Sequence, residues 1–104
     1  MMNRPYATRE DMIKDIDILM KVWKEYKALY NEEINKAEGI ISVDKINKLI
    51  VRAKQIAQTK KEHEVSVEGF FDSYVAVLVQ TGNSNTVHIM FDNFLEKLKE
   101  DSLM

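Results

Sequence analysis

The sequence predicts an all-α fold, a small bundle of four helices whose first member is much longer than the others. Three observations carry this. Apolar residues recur at three- and four-residue spacing in four separate stretches. One proline, Pro5, and three glycines, Gly39, Gly69 and Gly82, are all that interrupt 104 residues. Hydroxyl side chains stand just ahead of the apolar stripes, where helix N-caps belong. The length suits one domain over residues 1–104.

The first helix is expected over 9–38. Thr8 and Asp11 form a variant capping box, and Glu10, Asp11 and Asp15 place negative charge where the helix dipole favours it. Gly39 stands where a left-handed terminating residue is wanted. Met12, Ile16, Leu19, Trp23, Tyr26 and Tyr30 make a heptad-like seam, with Ile18, Val22 and Leu29 on one flank and Ile13 and Met20 on the other. Such cover wraps more of the rod than one bundle face requires.

The second helix is expected over 43–60, with Ser42 as N-cap, Ile41 and Ile46 as a hydrophobic staple, and a stripe of Ile46, Leu49, Ile50, Ala53, Ile56 and Ala57. By the same signs Ser66 caps a third helix over 67–81, with Val65 and Phe70 as staple and Gly82 as stop. This helix is apolar nearly all round, as befits a central or interfacial element. A fourth helix, 86–100, carries Val87, Met90, Phe91, Phe94, Leu95 and Leu98. One alternative competes. The β-branched run 74–79 and the alternating 86–91 flank a Gly-Asn turn signal, which would suit a β-hairpin over about 74–91 in an α+β fold.

Composition narrows the function. Without cysteine there are no disulfides, thiol nucleophiles or thiolate metal sites, which fits a reducing compartment. Residues 1–8 show no signal-peptide pattern and the longest apolar run is far below a membrane span, so a cytoplasmic protein is expected, with no membrane partner. The net charge of −2 hides a gradient. Lys45, Lys48, Arg52, Lys54, Lys60 and Lys61 stand against Asp44 in 43–61, whereas acids outnumber Lys97 and Lys99 after residue 61.

No catalytic constellation emerges. His88 and Asp92, four apart, share a helix face, but two ligands do not make a metal site. His63 lies in a solvated Glu-His-Glu connector, and Asp15 is the one acid among the apolar positions of the first helix, where it would pair with a cation or water at the seam's edge. The pair Glu32-Glu33 is similar to the start of the acidic motif of helical nucleotide pyrophosphohydrolases. Lys36 stands where that motif needs a third carboxylate, so no chemistry carries over. Trp23, Tyr26 and Tyr30 have core spacing. No phosphate loop is present, and no cofactor is implied.

The resulting expectation is a non-enzymatic helical module that binds another protein, or itself as a homodimer, through Ile18, Val22 and Leu29. Its acidic half, 62–104, would favour a basic partner. The competing expectation is an accessory nucleic-acid-binding protein holding phosphates on Lys45, Lys48, Arg52 and Lys54. A helical enzyme using scattered carboxylates ranks third.

Overall fold

The computed structural model describes residues 9–36 and 41–103. They form four helices: α1 (Arg9–Lys36), α2 (Val43–Ile56), α3 (Glu64–Thr81) and α4 (Ser84–Leu103), with one 3₁₀ turn, Lys61–His63, leading into α3. Among the described residues there is no strand. Residues 74–91 therefore run from one helix to the next, and the hairpin alternative does not form. Thr8 and Gly39, expected to bound the first helix, lie outside the described residues.

Local chemistry accounts for the observed ends. Ser42 has extended backbone, and its hydroxyl accepts from the Lys45 N–H at 3.3 Å, capping α2 as expected. At the other end, Thr59 N–H bonds to the Lys54 carbonyl and Gln58 N–H to that of Gln55, both at 3.1 Å. These two bonds make a Schellman motif with Gln58 at its left-handed position, φ 53°. It stops α2 at Ile56, short of the expected residue 60. Gly82, at φ 66°, ends α3 as expected, with its N–H on the Leu78 carbonyl at 2.8 Å. Asn83 then starts α4 two residues early, because its side chain accepts from Thr86 N–H at 3.1 Å.

The start of α3 departs most from expectation. Ser66 lies inside the helix, and Val65, expected as a staple, is 82% exposed. The 3₁₀ turn closes with His63 N–H on the Lys60 carbonyl at 3.0 Å, and the chain continues from it straight into α3. His63 is also held to Asp15 of α1, at 2.9 Å between Nδ1 and Oδ1. That tie fixes the entry point and leaves no cap for Ser66 to make. The Glu-His-Glu segment is thus an anchor to α1, and Asp15 is nearly fully buried.

The centre of the bundle is α1, which packs against α2, α3 and α4. Its 28 residues span about 42 Å, most of the molecule's 49 Å length. Leu19, Val22, Trp23, Tyr26 and Tyr30 join Ile46, Leu49, Ala53, Val67, Phe71, Tyr74, Val87 and Leu95 in one core. Packing on three sides uses up the wide apolar cover. Val22 is 0% exposed, and Ile18 and Leu29 are partly buried against the same core. Of the face expected from sequence to meet a partner, Val22 is therefore buried within the chain and has no surface to offer, while Ile18 and Leu29 keep part of theirs. The exposed ends of the rod are polar: Arg9, Glu10, Asp11 and Lys14 at one, Asn31, Glu32, Asn35 and Lys36 at the other.

Candidate functional site

The surface left apolar by this packing belongs to α3 and α4. Because α1 holds the centre, only one side of α3 is needed for the core: Val67, Phe70, Phe71, Tyr74 and Leu78 are buried, while Val65 and Val79 face solvent. On α4 the core takes Val87, Phe91 and Leu95, and leaves Ile89, Met90 and Phe94 exposed. Between the two helices runs a groove of about 550 Å³, lined on the α3 side by Ser66, Gly69, Ser73 and Val77 and on the α4 side by Met90, Phe94 and Leu98. Leu19, Phe70 and Phe91 complete its lining. Its α3 wall is made of small side chains at three- and four-residue spacing. Its α4 wall is made of large ones, and Phe94 stacks on Phe70 at 6.4 Å between ring centres.

On α3, Glu68 and Asp72 line the cleft toward α2, on the other side of the helix from the groove. On α4, Lys97 and Asp101, both exposed, flank the Phe94–Leu98 ridge, one charge of each sign.

Behind the groove the core carries polar groups that sequence spacing did not assign. Tyr26 and Tyr74 share a hydrogen bond of 2.6 Å between hydroxyls, and the Tyr74 hydroxyl lies 2.8 Å from His88 Nε2. Every proton is used once if Tyr26 donates to Tyr74 and Tyr74 donates to a neutral His88. Burial raises both phenols well above their ordinary range. His88 is pushed down to about 4, first by burial and then by Lys27, with Asp92 opposing. Its ring meets Tyr30 edge-on at 4.8 Å and Trp23 at 5.4 Å. A phenol held this firmly protonated and an imidazole held neutral form a structural chain, not an acid–base pair poised near neutrality.

A second polar junction sits beside it. Asp92 Oδ1 accepts from Trp23 Nε1 at 2.6 Å and from Lys27 Nζ at 2.7 Å. Burial opposes ionisation of Asp92, but these two donors outweigh it and hold the carboxyl below its usual range. The sequence signal for both arrangements is the same: a buried Trp or Tyr needs a partner for its polar tip. The spacing of one helix cannot say which element supplies that partner. His88 and Asp92 thus serve the core separately, and no cluster of three metal-ligating side chains exists among the described residues.

Of the expected phosphate-binding residues, Lys45, Lys48 and Arg52 share one face of α2 and Lys54 lies on another. Lys48 and Arg52 are exposed on α2, Lys45 approaches Glu33 at 3.6 Å, and Lys54 lines a cleft with Glu68 and Asp72 of α3. Among the described residues no helix is long and apolar enough to cross a membrane. Compared with protein-family models, with curated proteins and with solved structures, the chain matches none.

Proposed function

We propose that this protein is a non-catalytic helical module that binds another protein through the apolar face of α3 and α4. One observation carries the reading: Met90 and Phe94 stay about half exposed along a groove that Val77 and Leu98 also line, on a chain whose α1 seam is buried. Contiguous apolar surface on a folded domain marks interaction sites, and aromatic and methionine side chains are enriched where partners dock. The polar groups of the core support the non-catalytic half of the proposal, since their protonation states are fixed by burial and mutual hydrogen bonding. A cytoplasmic location fits the absence of cysteine and belongs to the same proposal.

The test is photo-crosslinking in host lysate from a probe at Ser73, an exposed residue of the groove wall, compared between wild type and the Met90→Glu and Phe94→Glu variants. Both positions are about half exposed, so the helix tolerates the change, and circular dichroism checks that it has. The same adducts should vanish in both variants. Adducts that persist unchanged in both overturn the reading.

A second reading keeps one observation in its favour, the exposure of Lys48 and Arg52 on one face of α2. In that case RNA or DNA retention should fall with salt and disappear in Lys48→Glu/Arg52→Glu. Retention that survives the double change removes it.

A further inference from the structure

We infer that the cleft between α1 and the connector 57–63 is a binding site for a small molecule that carries a phosphate monoester. It stands apart from the α3–α4 groove and holds whether or not that groove takes a partner. The cleft encloses about 490 Å³, a size usual for small-molecule sites. Lys14, Ile18 and Lys21 stand at i, i+4 and i+7 on one face of α1, and Gln58 and Lys60 line the cleft from the connector. Ile18 and Ala57 add an apolar patch on which the rest of a ligand can lie.

Two features shape the cleft before any ligand arrives. The 2.9 Å bond between His63 and buried Asp15 ties the connector to α1, and the bonds from Gln58 and Thr59 back to α2 fix where the connector begins. The second feature is also a choice of residue. Glycine takes left-handed backbone at no steric cost, yet glutamine stands at φ 53°, exposed on the cleft wall. Strain kept where a cheaper residue exists is a mark of ligand sites, and the amide of Gln58 supplies a further donor beside the lysines.

Charge selects the ligand. Among the described residues, Lys14, Lys21 and Lys60 make no ion pair. Of the two acids on the wall, Asp17 is answered by Lys99 at 2.9 Å, and the exposed Glu62 lies 3.4 Å from His63 Nε2. The three ammonium groups are thus left for an anion. Lysines are point charges with rotatable donors, able to meet a tetrahedral oxyanion from several sides. Planar carboxylates are matched by the arginine fork, and among the described residues no arginine lines the cleft. The lysines ring one concavity, and the net charge of −2 works against a long polyanion. Both favour a small phosphate over a nucleic-acid strand.

The test titrates the ¹⁵N-labelled full chain with phenyl phosphate and with benzenesulfonate, a monoanion of similar shape, at constant ionic strength. Phenyl phosphate should give saturable amide shifts centred on Lys14, Ile18, Lys21, Gln58 and Lys60, and bind at least about fivefold more tightly than the sulfonate. Lys21→Gln/Lys60→Gln replaces two exposed side chains and should weaken phosphate binding about tenfold or more. Gln58→Gly should weaken it about threefold or more while raising the urea midpoint, a pairing that damage to the fold cannot produce. Lys36→Gln, at the far end of α1, should bind as wild type does. Shifts spread evenly over the surface lysines, no saturable shift, equal affinity for the two anions, or undiminished binding to either cleft variant overturns the inference. A thymidine oligonucleotide that displaces phenyl phosphate at lower concentration than phenyl phosphate itself requires would assign the phosphate to a nucleic-acid strand, and that too overturns the small-molecule site.

Discussion

Gln58 holds a left-handed backbone angle of 53° that side chains with a Cβ adopt at a cost, and both of its neighbouring Schellman bonds depend on that angle. Gln58→Gly should therefore stabilise the protein by up to about 1 kcal/mol, with part of the gain offset by the greater freedom of glycine in the unfolded chain. A urea titration in which the variant's midpoint falls below wild type would contradict this. At Asp92 the two donors are unequal in consequence. The Lys27–Asp92 pair is partly solvated, so Lys27→Ala should cost no more than about 1 kcal/mol. Asp92→Ala also leaves the Trp23 N–H without its acceptor, in a ring that is 3% exposed, and should cost about 1–3 kcal/mol. If Lys27→Ala is the more damaging change, the ion pair and not the indole bond governs this junction. His88 gives the molecule an acid sensitivity. Its folded pKa of about 4 lies below the unfolded value near 6.5, so between those pH values the unfolded chain binds more protons. Stability is complete above about pH 6.5 and falls as pH drops toward 4, by about 1–2 kcal/mol once partial solvent access is allowed for. The loss between pH 7 and 4.5 should be smaller in His88→Gln, which keeps an acceptor for Tyr74 but does not titrate. An identical loss in the variant would assign the effect to other groups.

At the scale of elements, the helices were legible because each carries its own period and some of them mark an end. Ser42, Gly82 and the four apolar stripes needed no tertiary information. The end of α2 and the start of α4 were each misplaced by a few residues, and the boundary misread most, at the head of α3, depends on a contact 48 residues away, His63 with Asp15. Ser66 offered a cap at the right spacing, but the tethered 3₁₀ turn had already set the helix in motion. The groove was legible only in outline. The all-round apolar character of α3 pointed to a central or interfacial place, and the choice between them turned on which helix occupies the centre. Since α1 does, the outer side of α3 faces solvent. Gly69 marks that side most economically. An exposed glycine inside a helix costs about 1 kcal/mol relative to alanine, and here a Cβ would meet nothing. Gly69→Ala should raise stability by about that amount in a denaturant titration. A variant whose midpoint falls below wild type would contradict this.

For the molecule as a whole, α1 turns three helices into one cooperative unit. Trp23 illustrates how: its ring lies 5.5 Å from Phe70 and 5.2 Å from Tyr74 of α3, and 5.9 Å from Phe91 of α4, while its N–H is bonded to Asp92 of α4. The surplus of apolar residues on α1 was readable in the sequence, but its meaning was not, because periodicity counts faces and not the neighbours that cover them. A helix with one neighbour and such cover would need a partner, whereas a helix with three neighbours is satisfied. The difference has a measurable consequence. If α1 is the common core, no helix unfolds independently, and Trp23 fluorescence and far-UV circular dichroism should trace superimposable urea curves with a single midpoint. Trp23→Ala should then cost about 3–5 kcal/mol, a large share of the roughly 5–15 kcal/mol that holds a domain together, and circular dichroism should show α2, α3 and α4 lost in the same transition. The sharpest contrary result is helix content that survives past the fluorescence midpoint. That would mean α2 or the α3–α4 pair stands without the rod, and a central helix covered on three sides would no longer explain where the apolar surface of this chain goes.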